Sequence, residues 1–320
     1  MRLPQWSFSW RPDYTLKYNI SIMSIPDDPR QWRVGLVGYG EVGRILAEDL
    51  RKQDVAVAAY DLKLGTAADP PLRQHASQHG VALVASHAAL ASGADFIISA
   101  VTASQTIAVA ESCAPAVRSD AFFLDFNSAS PGAKIKAAAL VVAGGARYVE
   151  AAVMTAIAPY RIRVPLLLGG PSAAALQPLL VALGFDATVA SPKLGVASAT
   201  KMCRSVMVKG LEAMVIESFT AARAYGVEDQ VVASLVETFP GIDWEKQGAY
   251  FFQRVIQHGR RRAEEMREAA ATVREAGLDP WSAAGTAERQ AWMADLAEAG
   301  AFQGSDPVRQ GWRGEADRVR

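Results

Sequence analysis

From Arg33 to about Ser191 the chain alternates short apolar runs with Ala-rich helical segments. The runs are "RVGLVG", "VAVAAY", "VALVA", "DFIISAV", "AFFLDF", "YVEAAVM", "VPLLLGG" and "ATVA". Each has the length of a strand, and the intervals between them are long enough for helices. Strands separated in this way join through right-handed crossovers, which predicts an α/β fold with a doubly wound, mostly parallel sheet over residues 31–191. After Pro192 the period changes. "KLGVASATKMCRSVMVKGLEAMVIESFTAARAY", "EDQVVASLVETF", "AYFFQRVIQHGRRRAEEMREAAATVREAG" and "SAAGTAERQAWMADLAEA" all read as helices, and Gly226 and Gly277 stand where two of them should stop. The pattern therefore predicts an all-helical C-terminal domain over residues 192–300.

The ends read differently. Residues 1–30 contain no apolar core of the length a secretory signal needs, and we read them as an N-terminal extension in which Met23 offers an alternative start. Residues 301–320 lose apolar periodicity and read as a mobile tail.

Composition narrows the functional classes. Lys plus Arg equal Asp plus Glu at 33 each, so no long-range field recruits nucleic acid or an anionic membrane surface, and no apolar run reaches transmembrane length. The only cysteines, Cys113 and Cys203, lie in apolar helical patterns, which argues against a disulfide framework and a cysteine metal site and fits a reducing cytoplasm. His75, His79 and His87 sit in polar surroundings without ligand spacing. We assign them no role and expect no metal.

The most informative stretch is "VGLVGYGEVGRILAEDL", a strand that runs through three glycines into an amphipathic helix. Gly38, Gly40 and Gly43 form G-x-G-x-x-G in the setting of a Rossmann-type dinucleotide fold: the first glycine makes the turn, the second admits a pyrophosphate, and the third lets helix and strand approach. Helix N-terminal amides supply the donors. We place Gly38, Tyr39, Gly40, Glu41, Val42 and Gly43 at the cofactor, with Val101 and Thr102, after "DFIISA", passing close to it. Asp61 ends the second strand, where a carboxylate accepts the ribose hydroxyls and repels a 2′-phosphate. NAD is the expected cofactor, with NADP as the alternative because Lys63 lies two residues on.

The rest of the chain resembles one superfamily. A GxGxxG domain, a "D-x-x-S-x-x-P" turn, an acidic "E-A-A-V" strand end and a lysine early in a long helix resemble the β-hydroxyacid dehydrogenases, the superfamily of 3-hydroxyisobutyrate and 6-phosphogluconate dehydrogenases. The resemblance spans about Arg33 to Glu298, and its helical half looks closest to a phosphogluconate-dehydrogenase-like branch. It implies that "DFNSASP" is the substrate turn, with Asn127 and Ser128 in the polar positions, and that Lys201 is the catalytic lysine. The family's "D-A-P-V-S-G-G" loop becomes "EAAVMTA", Glu150 to Ala156, which removes small groups that hold a substrate carboxylate. In "GVASATKMCRS", Gly195 and Lys201 are kept, while Arg204 and Ser205 take the places of two asparagines.

Lys201 and Arg204 also have a physical reading. Three residues apart on a helix they share a face, and two cations among Met202, Cys203, Val206 and Met207 call for an anion beside them. The neighbouring charge and partial burial should lower the lysine pKa towards useful acid–base work. His258 shares a helical face with Arg261, Arg262 and Glu265 in a region that borders the substrate in this family.

The expected function is hydride transfer between NAD(P) and a small β-hydroxy acid, with Lys201 taking the hydroxyl proton, Arg204 holding the carboxylate, and Asn127, Ser128 and His258 lining the substrate. An imine reductase and a non-catalytic cofactor-binding regulator are the alternatives on the same architecture. The helix from about Lys193 to Tyr225 is apolar on several faces at Val208, Leu211, Met214, Val215, Ile216 and Phe219, which predicts a homodimer through the helical domains.

Overall fold

The computed structural model describes residues 25–304 and 307–319, the side chains of 307–310 excepted. Most of the proposed N-terminal extension, residues 1–24 with the alternative start at Met23, lies outside the described residues. Each of the eight apolar runs forms a strand: β1 (Arg33–Val37), β2 (Ala56–Tyr60), β3 (Ala82–Leu83), β4 (Phe96–Ser99), β5 (Phe122–Asp125), β6 (Arg147–Val153), β7 (Leu166–Gly169) and β8 (Ala187–Ser191). They make one sheet in the order β3-β2-β1-β4-β5-β6-β7-β8. The first six strands run parallel; β7 joins β6 antiparallel and β8 follows β7 in parallel. The long connections carry α1 (Glu41–Arg51), α2 (Asp69–His79), α3 (His87–Gly93), α4 (Thr106–Cys113), α5 (Pro131–Ala143), α6 (Ile157–Tyr160) and α7 (Ala173–Ala182).

Two apolar layers enclose the sheet. One gathers Leu36, Leu46, Phe96, Leu124 and Leu168, the other Val37, Ile97, Phe123, Val141 and Tyr148. Adjacent strand residues enter opposite layers, as the period of two requires. Because β4 and β5 are buried along their whole length, their sequences read as continuous apolar runs.

The helical part comprises α8 (Val196–Tyr225), α9 (Glu228–Thr238), α10 (Trp244–Glu275), α11 (Trp281–Glu298) and α12 (Pro307–Val319). Gly226 caps α8 at φ 69° and Gly277 follows α10 at φ 81°, both left-handed positions where glycine carries no Cβ penalty. No helix among the described residues is long and apolar enough to cross a membrane.

The C-terminal segment differs from the mobile tail expected of it. Trp312 is 1% exposed and joins Ala316 and Val319 in one core with Phe219, Phe252 and Val255. Arg313 adds ion pairs to Glu245 and Asp229. The apolar residues are few, but 312, 316 and 319 recur at helical spacing and close the bottom of the helical core.

Several large apolar side chains of the helical part are exposed. Met207 is 75% and Trp281 81% exposed, with Met214 and Leu278 also exposed.

Candidate active site

The parallel strands deliver their C-terminal ends to one edge of the sheet, where doubly wound folds bind ligands. Each glycine after β1 has its own reason to be glycine. Gly38 adopts φ 90°, and a Cβ there would strike the Ala100 carbonyl. A Cβ on Gly43 would strike the Gly38 carbonyl, so this glycine lets α1 close on the strand. At Gly40 a Cβ would meet nothing within 4 Å. That open space lies at the N-cap of α1, where free amides and the helix dipole favour a pyrophosphate.

Asp61 is tied to this loop. Its Oδ2 accepts from the Tyr39 amide at 2.8 Å and its Oδ1 from the Lys63 amide at 2.9 Å. Each oxygen retains a lone pair for a ribose hydroxyl. Tyr39 is fully buried beneath the loop, and burial pushes its hydroxyl up to about 12. Glu41 is exposed at the first turn of α1, Val42 is half-buried, and Val101, half-buried just after β4, stands beside Gly38, with Thr102 exposed next to it.

Asn127 departs from its expected substrate role. It is 3% exposed, and its side chain accepts from the Val101 amide at 2.8 Å and donates to Ser99 Oγ at 3.0 Å. The amide side chain is committed to splicing the ends of β4 and β5 and fixes the cofactor-side turn. Below it, Asp125 pairs with Lys134 at 2.8 Å and accepts from the Tyr148 hydroxyl at 2.6 Å, while the Lys134 ammonium also donates to the Asp125 carbonyl. The Tyr148 hydroxyl is held well above its ordinary range by burial and by the Asp125 charge.

Ser128 meets the helical part at Lys201. Lys201, one turn and a half into α8, donates to its hydroxyl at 2.5 Å. Burial pulls the lysine down to about 8, aided by the charges of Lys209, Lys134 and Arg261 and opposed by Glu265. Glu265 anchors this group, pairing with Lys209 at 2.6 Å and Arg261 at 2.9 Å. Burial works against its ionisation, yet Lys209, Lys201 and Arg261 outweigh it and hold the carboxyl at about 2.

Arg204 does not join them. It is exposed, and it is not among the charges that weigh most on Lys201. The residues that keep the face of Lys201 recur every four positions, Ser205 and then Lys209, both buried. This polar stripe was the available signal for Lys209. His258 is half-buried on α10, its pKa lowered by burial and by Arg261, Arg254 and Arg262, with Glu41 acting in the opposite sense.

Three carboxylates hold the halves together: Glu150, read from sequence as the start of the substrate loop, and Glu268 and Glu275, which sequence reasoning missed. Glu150, 0% exposed at the centre of β6, accepts from the Ala197 amide at 3.1 Å and Ser198 Oγ at 2.8 Å, capping α8. Glu268 and Glu275 of α10 accept from the Ser130 and Gly132 amides at 2.7 and 2.9 Å, at the start of α5.

This is a Rossmann-type nicotinamide-cofactor fold with a helical domain that brings a lysine to the open edge of the sheet. Residues 33–189 match the NAD binding domain of 6-phosphogluconate dehydrogenase, and residues 222–293 match a domain of unknown function designated DUF1932. A conserved hypothetical protein from Sinorhizobium meliloti 1021 is 35% identical with a TM-score of 0.73, over 94% of this chain and 98% of that one. The conserved protein MTH1747, whose structure resembles 3-hydroxyacid dehydrogenases, is 28% identical with a TM-score of 0.65, over 83% of this chain and 98% of that one. The mitochondrial 3-hydroxyisobutyrate dehydrogenase of Drosophila melanogaster is 23% identical, over 67% of this chain and 65% of that protein. The chain belongs to the β-hydroxyacid dehydrogenase superfamily.

Proposed function

We propose that the protein is an NAD(P)-dependent dehydrogenase of a small β-hydroxy acid. The observation that carries this reading is the contact of Lys201 with Ser128 at the C-terminal edge of the sheet, in a setting that lowers the lysine to about 8. The nicotinamide, when bound, supplies the hydride acceptor. Lys201 in its neutral form takes the proton of the substrate hydroxyl, and Ser128 orients that hydroxyl by sharing a hydrogen bond. Lys201, Lys209 and Arg261 face one carboxylate, Glu265, and the cationic excess suits a substrate carboxylate. Arg204, exposed on α8, is replaced in this role by Lys209 and Arg261. His258 borders the same opening from α10.

Asp61 favours NAD, since a 2′-phosphate would face its carboxylate across the loop. The exposed apolar side chains of Met207, Met214, Leu278 and Trp281 support a homodimer through the helical domains. The free cysteines fit a cytoplasmic location. A panel of β-hydroxy acids, screened for reduction of NAD and NADP, tests the activity. Turnover of at least one acid that Lys201→Ala abolishes, with dinucleotide affinity retained, is the expected result. Undiminished turnover in that variant would remove the lysine from the reaction.

A further inference from the structure

Away from this cleft, α1 and α2 pack against each other and bring three ligand-bearing side chains to one point. His75 and His79 stand one turn apart on α2, and Glu48 reaches them from α1. One ligand atom from each lies within 4.8 Å of the other two. His75 Nε2 is 3.0 Å from Glu48 Oε1, and the two imidazole centroids are 4.4 Å apart. All three residues are half-buried. The spacing escaped the sequence reading because the carboxylate comes from a different helix, 27 residues before His75.

Two features set this cluster apart from an ordinary hydrogen-bonded histidine. The first is the outer layer. His75 Nδ1 lies 2.8 Å from the Tyr39 hydroxyl, which fixes the ring so that Nε2 faces the cluster. Glu48 Oε2 is taken by Arg161 at 2.7 Å, which leaves Oε1 towards the histidines. Arg161 carries Asp49 as its own counter-ion, so Glu48 keeps its charge for the cluster. Metal ligands are oriented by such partners on their far atoms. The second feature is His79. Its ring has no hydrogen bond among the described residues, yet it stands against His75 at an interplanar angle of 31°.

We propose that Glu48, His75 and His79 form a three-ligand site for a zinc-class divalent metal ion, with water as the fourth ligand. Two histidines four residues apart on a helix and one carboxylate are a donor set that zinc accepts. Bonds of about 2.0–2.2 Å place tetrahedral ligand atoms about 3.3–3.5 Å apart, within reach through side-chain adjustments of about an ångström. The ion ties α1 to α2. Through His75 it also steadies Tyr39, whose backbone lies between Gly38 and Gly40 of the dinucleotide loop.

The test uses the full chain without a histidine tag, stripped with a chelator. With four histidines in the sequence, competing sites are few. Cobalt titration, read by the visible absorption of four-coordinate Co²⁺ and reversed by Zn²⁺, should show one saturable equivalent. His79→Gln removes a ligand without removing any side-chain hydrogen bond, so it should weaken binding by more than about tenfold and leave the melting of the metal-free protein unchanged. Tyr39→Phe removes only the outer partner and should weaken binding about 10–100-fold. Absence of saturable binding overturns the site. Binding that survives both His79→Gln and Glu48→Gln also overturns it.

Discussion

Replacing Lys201 with methionine should stabilise the protein at neutral pH while ending its chemistry. In the folded chain burial and neighbouring cations take this lysine from its ordinary 10.5 to about 8. At about 1.36 kcal/mol for each pH unit, folding the charged side chain costs roughly 3 kcal/mol. Because the folded pKa lies below the unfolded one, the cost stands in full below pH 8, fades as pH rises towards 10.5, and is absent above it. Methionine occupies a similar volume without charge. The variant also loses the hydrogen bond to Ser128, worth about 1 kcal/mol, so the net gain at pH 7 is about 2 kcal/mol. Urea denaturation of both proteins at pH 7 and above pH 10.5 measures it. The gain should appear at pH 7 and turn into a loss of about 1 kcal/mol at the higher pH. A variant less stable at pH 7, or an offset that is the same at both pH values, would refute the reasoning. The cationic excess at Glu265 implies that small carboxylic acids raise the melting temperature of the unaltered protein, and that the variant, which keeps Lys209 and Arg261, loses only part of this effect.

Gly40→Ala should leave folding intact and weaken dinucleotide binding, because its Cβ meets no protein atom; Gly43→Ala, whose Cβ would strike the Gly38 carbonyl, should lower the melting temperature as well. Fluorescence quenching should show tighter binding of NAD than of NADP, and Asp61→Ala should narrow that gap; equal affinities in the unaltered protein would remove Asp61 from cofactor choice. Light scattering at micromolar concentration should give about twice the 34.2 kDa chain mass, falling towards one chain when Met207 and Trp281 are both made polar.

The central strands β4 and β5 were legible because burial on both faces leaves an unbroken apolar run bounded by polar residues, and the glycine loop because Gly38 and Gly43 answer local steric demands. The packing of α12 was hidden by its composition. Its three core positions are diluted by Gly311, Gly314 and charged residues, and their partners Phe219 and Phe252 lie far back in the chain. The site shows the same division. Lys201 stands in a local motif, but Glu150 reaches its amide partner across 47 residues and Glu268 reaches Ser130 across 138. Asn127 is buried in bonds to Val101 and Ser99, and Arg204 is exposed, for a related reason: residue type gives the chemistry a side chain can perform, and only packing decides which way it is turned.

The cap that Glu150 places on α8 has a mechanical effect. A buried carboxylate joins the first turn of the helix to the middle of the sheet, and 1.5 Å of rise per residue carries Lys201 less than 10 Å beyond that joint. Two further bolts, Glu268 and Glu275, fasten α10 to the loop that bears Ser128. The jaw of the cleft is therefore stiff at its root. The distance from lysine to serine is thus set by buried carboxylate–amide joints between the sheet and the helices rather than by surface turns.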